Sequence, residues 1–115
     1  MIKLDGKTLN VEEFSYTVIP VFVETDEITS EGYVRNYFLF GSYRKFVLRC
    51  FEKKDVPWSE SIVKYIEDKI RSGEGSFDLE IDESYYVFSG ECYVLGFEAF
   101  FENEMRKFEI VLREA

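Results

Sequence analysis

Along most of this chain large apolar residues recur at every second position, and in one segment the period changes to four. In DVPWSESIVKYIEDKIRSGEG, Trp58, Ile62, Ile66 and Ile70 are spaced by four, and Val63 widens the stripe. That pattern is one apolar face of an amphipathic helix, predicted near residues 58–71. Pro57 suits its first turn, and Asp55 or Ser59 is placed to cap it. Lys69 and Arg71 complement the helix dipole in the last turn, and Gly73 supplies the stop. A helix with a single stripe has to bury it, and the rest of the chain offers only strands.

The strands read as follows. IKLDGKTLN holds an Asp5-Gly6 turn between two short extended pieces, a tight hairpin. FSYTVIPVFVE, Phe14 to Glu24, is β-branched and aromatic and is predicted as a strand, with Pro20 at an edge, bulge or break. TDEITSEG is polar and reads as an exposed loop. YVRNYFLFGSYRKFVLRCFEKK reads as two strands meeting near Gly41-Ser42. In the second, Phe46, Leu48 and Cys50 share one face, and Tyr43, Lys45, Val47, Arg49 and Phe51 the other. After the helix, Phe77, Leu79 and Ile81 alternate with Asp78, Glu80 and Asp82. SYYVFSGECYVLGFEAFFE gives one or two strands with a bend at Ser89-Gly90, and Gly96 marks a bulge. The loop NEM leads into a last strand with Phe108, Ile110 and Leu112 pointing inward. The expected fold is α+β: about seven to eight mostly antiparallel strands, as a sandwich or open barrel, with the helix packed on the sheet. A chain of 115 residues fits a single domain, 1–115.

Composition narrows the functions. Hydrophobic residues at 46% and aromatics at 18% supply a core, so disorder is not expected. There is no histidine, which removes the commonest general base and the imidazole metal ligand. Cys50 and Cys92 form no CxxC or zinc pattern; each sits in an apolar run, as a buried free thiol would, although a disulfide between them is not excluded by spacing. The Asp78, Glu80 and Asp82 row lacks the loop spacing of a calcium site. Ser59 and Ser61 lie in no nucleophile elbow, so helix capping is the better account of both, and no glycine cluster matches a phosphate loop. No catalytic residue, cofactor or metal is expected.

The formal net charge of −9 argues against a nucleic-acid partner. A modest basic cluster, Arg44, Lys45, Arg49, Lys53 and Lys54 with Arg106 and Lys107, reads as pairing with acids. MIKLDGKTLN has no apolar signal core, and no run reaches the ~18 apolar residues of a membrane helix. A cytoplasmic protein with no membrane partner is expected.

The candidate contact residues are aromatic. Tyr37-Phe38 and Phe100-Phe101 are adjacent pairs in strands, so a large ring falls on each face. That requires either a second covering layer or an exposed patch for a partner. Trp58 is expected in the core, with an interface anchor as the alternative. Five residues form the predicted interface: Tyr37, Phe38, Trp58, Phe100 and Phe101. Three functions remain: a self-assembling structural subunit, a small acidic module mimicking nucleic acid with Asp78, Glu80, Asp82 and the segment Asp26 to Glu31, and an aromatic-lined ligand barrel.

The chain resembles small structural proteins of tailed-phage tails and baseplates, a group that includes distal tail proteins and tail-tube-like domains. The opening Ile2, Leu4, Gly6 and Leu9 match their "I-x-L/I-x-G-x-x-L" hairpin. YYVFSGECYVLGFEAFFENEMRKFEIVLRE is similar to their closing aromatic hairpin. The resemblance covers residues 1–10 and 43–115, and the segment Glu12 to Asn36 lies outside it. It implies a virion structural role, assembly into rings through sheet edges with like or other subunits, and no catalysis.

Overall fold

The period-two segments become β1 (Ile2–Leu4), β2 (Lys7–Thr8), β3 (Asn10–Thr29), β4 (Gly32–Lys53), β5 (Ser76–Glu83), β6 (Tyr86–Glu102) and β7 (Met105–Glu114). The helical segment becomes a 3₁₀ turn, Trp58–Glu60, and α1, Ile62–Arg71. The computed structural model describes the backbone of residues 1–115 and every side chain except those of Thr29, Tyr33 and Val34. The strands form one open antiparallel sheet of seven, in the order β2-β1-β5-β6-β7-β4-β3. Its edges are β2 and β3, so the sheet is not a closed barrel and has no lumen to line with aromatics.

One face of the sheet holds the core. Phe77, Leu79 and Ile81 of β5, Phe46 and Leu48 of β4, and Phe108, Ile110 and Leu112 of β7 are all buried. Val63 and Ile66 of α1 cover them, with Ile62, Tyr65 and Ile70 packed partly against the same cluster. Each fully buried side chain of this size contributes about 1.5–3 kcal/mol. Cys50 and Cys92 are free and buried on this face. Burial drives their thiols up, to about 12 and about 11.

Two polar clamps seat the helix. Ser61, not Asp55 or Ser59, is its N-cap: its Oγ accepts from Val63 N at 3.1 Å and donates to Glu52 Oε1 at 2.6 Å. Glu52 Oε2 also accepts from Ile62 N at 2.9 Å, placing a carboxylate at the positive end of the helix. Arg106 completes the cluster, donating to Glu52 at 2.7 Å and to the Val56 carbonyl at 2.7 Å. At the other end Asp5 accepts from Tyr65 Oη, Lys69 Nζ and Asp78 N, each at 2.7 Å. Asp5 itself sits in the hairpin turn at φ 50°, followed by Gly6 at φ 78°. These signs suit the two-residue turn that Asp-Gly predicts.

Several boundaries differ from the sequence reading. TDEITSEG is not a loop: β3 continues to Thr29 and β4 starts at Gly32, leaving only a tight turn between them. No break occurs at Gly41-Ser42. There β4 runs on, and the register shift (Val21↔Gly41, then Phe22↔Leu39) leaves Phe40 as an extra, bulged residue. Pro20 needs no break because β3 is an edge strand, and one side of its backbone has no ladder to serve. Ser89-Gly90 lies inside the continuous β6, where the Val94/Gly96 shift makes Leu95 the bulged residue beside Gly96. The turn after β6 is Asn103-Glu104, with Asn103 at φ 52°.

The two long strands reach beyond the rest of the sheet. β7 pairs with β4 only from Lys45 to Lys53. From Val18 to Thr29 and from Gly32 to Arg44, β3 and β4 pair only with each other. The result is a two-stranded arm, about 12 residues and about 40 Å long at ~3.3 Å per residue. It explains the radius of gyration of 19.1 Å, against about 13 Å for a compact domain of about 100 residues.

Candidate functional site

The arm concentrates what a soluble core normally hides. Val18, Phe22, Val23, Ile28, Tyr37, Phe38, Leu39 and Phe40 are all exposed, Phe40 to 78%. Cross-strand pairing sets Phe22 opposite Leu39 and Val23 opposite Phe38, so apolar pairs fall on both faces of the ribbon. The tip is acidic, with Glu24 and Asp26 paired to Arg35 at 2.7 Å and 3.2 Å. A ribbon has no second layer, so neither face is covered within the chain.

The arm's root is fixed. Tyr16 and Tyr86 pack at 4.5 Å between ring centroids, Phe14 meets Tyr86 at 5.7 Å, and Phe46 meets Phe88 at 4.7 Å. Arg44 ties the same point to β6 and β7: its Nη1 donates to Tyr86 Oη at 3.2 Å and its backbone N to Glu114 at 3.0 Å. Its guanidinium also lies 5.3 Å from the centre of the Phe88 ring. β4 itself spans the molecule. Its 22 residues at ~3.3 Å each give about 70 Å, close to the 72 Å long axis. The arm is therefore a straight extension of the sheet.

The five candidate contact residues do not form one patch. Tyr37 and Phe38 lie on the arm. Trp58 is 45% exposed and not in the core, because the 3₁₀ turn sets it outside the helix stripe; the Arg106 guanidinium lies 5.5 Å from its ring. Phe101 is exposed and pairs across from Arg106, which brings it to the same end as Trp58. Phe100 pairs with Lys107 on the opposite face of the sheet. Sequence reading missed most of the arm, including Phe22, Leu39 and Phe40. The available signal was that apolar residues occupied both parities on both sides of TDEITSEG, which no single covered face can satisfy.

The basic residues largely meet acids. Arg49 bridges Glu13 and Glu109, each at 3.2 Å, and Lys107 lies 3.7 Å from Glu12. Arg113 stacks on Tyr43 at 4.0 Å. Asp78, Glu80 and Asp82 are exposed in a row, with Lys3 directly across from Glu80. The sheet face opposite the helix is thus mixed in sign, unlike the continuous acidic surface of a nucleic-acid mimic. No described helix is long and apolar enough to cross a membrane.

The fold of this chain has counterparts among solved structures. One is a chain from the tail of an empty gene transfer agent particle, computed with helical refinement and C6 symmetry: TM-score 0.53, 12% identity, covering 93% of this chain and 78% of that one. This chain shares its fold with a phage-like tail protein. A second, from the virion of a native gene transfer agent particle, has TM-score 0.53 and 12% identity and covers 92% of this chain and 80% of that one. No protein-family model matches the sequence, and no curated protein does. The tail resemblance carried by the opening hairpin and the closing aromatic hairpin therefore extends to the fold of almost the whole chain.

Proposed function

We propose that this chain is a single-domain, non-enzymatic structural subunit of a phage-like tail, virion-associated, that assembles with copies of itself or with other tail subunits and takes no nucleic acid. The observation that carries the reading is the arm: about 40 Å of ribbon with exposed apolar side chains on both faces, rooted rigidly in a well-packed body. A monomer has no use for such an element, and a contiguous apolar surface of this kind marks a protein contact. The tail setting is supported by the shared fold. Tyr37 and Phe38 contact a neighbour through the arm; Trp58 and Phe101 do so at the far end of the sheet, and Phe100 on its open face.

The test is the solution mass across a concentration series, by light scattering on a sizing column, with negative-stain images of the largest species. A discrete closed oligomer, such as a hexamer or trimer, is expected, with ring-shaped particles. A monomer at every concentration overturns self-assembly and leaves other tail subunits as the partners to test.

A further inference from the structure

Two of the sheet's bulges have the same construction. Each inserts a large apolar residue immediately before a glycine: Phe40-Gly41 in β4 and Leu95-Gly96 in β6. A bulge re-aims the side chain of its extra residue, and here both are left exposed, Phe40 to 78% and Leu95 to 55%. Their surroundings differ. Phe40 stands on the bare arm. Leu95 stands beside the C-terminal end of α1, where Ile70, Val94, Leu95 and Phe97 line a groove of about 290 Å³. Gly96, Glu67 and Arg71 complete the lining, and the two charged residues are paired to each other at 3.7 Å, so no unmatched charge faces the groove. An apolar cavity of about 150 Å³ already admits a benzene ring.

We infer that the Phe40 bulge of one copy seats in the Ile70–Val94–Leu95–Phe97 groove of another. The inference rests on the self-assembly reading and specifies its contact. The chain's own arm cannot fill the groove. Val94 pairs with Leu112, which pairs with Phe46, so the groove lies level with the arm's root. Phe40 is six residues farther out on a straight strand, about 20 Å away, and the Arg44–Tyr86–Glu114 contacts prevent it from folding back. A second copy brings the knob and the groove together without any further partner. Area supports this occupant. A ribbon about 40 Å by about 10 Å offers about 400 Å² per face. Head-to-tail, one face lies against the neighbour's groove and buries about 800 Å² counting both partners, the size of a weak contact, and a ring or filament gives each copy two of them. Knob and groove lie at different places on the surface, so the contact is head-to-tail and propagates into a ring or a filament.

Two variants test it, Phe40→Asp, which spoils the knob, and Leu95→Asp, which spoils the groove. Both positions are exposed, and circular dichroism verifies folding, with Phe40→Ser and Leu95→Ser as milder substitutes if either aspartate disturbs the fold. Each variant alone is expected to weaken self-association at least tenfold. An equimolar mixture is expected to form dimers and stop there, because the Leu95→Asp chain keeps a knob and the Phe40→Asp chain keeps a groove. Wild-type assembly combined with variants that still assemble, or with a mixture that stays monomeric, overturns the pairing and leaves the self-assembly reading standing. A wild-type protein that is monomeric at every concentration overturns both.

Discussion

The body of the sheet and the arm are written in the same residue types and differ in what lies over them. In the body, Phe46, Leu48 and Cys50 of β4 lie between β7 and β3, in the same buried cluster as Val63 and Ile66 of α1, and are sealed from water. A few residues earlier in the same strand, Tyr37, Phe38, Leu39 and Phe40 have one strand beside them and no layer above or below, and are exposed. Alternation that builds a core in one place builds a contact surface in the other. Side-chain chemistry alone does not separate the two; the extent of β7 does, since its pairing with β4 ends at Lys45.

Substitutions sharpen that comparison. The largest effect belongs under the helix. Phe108→Ala or Ile66→Ala, at positions buried to 1% and 0% exposure, is expected to cost about 3–5 kcal/mol for Phe and about 2–5 kcal/mol for Ile, read as a drop in the urea midpoint. The matched substitution Phe38→Ala on the arm is expected to change monomer stability by less than about 0.5 kcal/mol while weakening assembly. A comparable loss of stability at Phe38 would break the distinction between body and arm.

The polar clamps rank next. Glu52→Ala leaves Arg106 buried without its carboxylate and strips the start of α1 of its anion. A loss of about 3 kcal/mol is expected. Ser61→Ala removes only the cap and should cost about 1 kcal/mol. If the two variants were equally destabilised in chemical denaturation, Glu52 would contribute no more than a cap.

The smallest effects are in pH. Burial raises the Asp5 carboxyl, but hydrogen bonds from Lys69, the Asp78 amide and Tyr65 outweigh it and hold Asp5 below the usual carboxylate range. A depressed folded value stabilises above the unfolded one and is lost as pH falls through it, so Asp5→Asn should remove part of the steepness of acid unfolding. Tyr65 shifts the other way, pushed to about 12 by its hydrogen bond to Asp5 and by burial. Its contribution is complete below the ordinary tyrosine value of about 10 and is lost as pH rises toward 12. Ultraviolet titration of the wild type against Tyr65→Phe checks this: a difference centred near 10 would mean that the Asp5 contact is absent.

Much of the body was legible. The period-four stripe located α1, the Asp5-Gly6 pair located the first turn, and alternation assigned Phe77, Leu79, Ile81, Phe108, Ile110 and Leu112 to the inner face. The helix start was misplaced because Asp55, Ser59 and Ser61 are all competent caps, and Glu52, far along β4, decides among them. The arm was misread for a related reason. Polar TDEITSEG and the Gly41-Ser42 pair carry loop chemistry, yet a hairpin fully exposed to water accepts polar residues in its strands, and a bulge takes up the irregularity at Phe40.

The sequence by itself determined the class of fold, the single helix and the inner rows of the sheet, because those depend on local periodicity and on burying one face. Only the tertiary structure decided where the covering layers end. It alone gathered Tyr37 and Phe38, read from sequence as contact residues, with Phe40 on one exposed arm and set Trp58 outside the helix stripe. Burial depends on neighbours brought in by distant segments, β7 above all, and no local pattern within β3 or β4 records how far that neighbour extends.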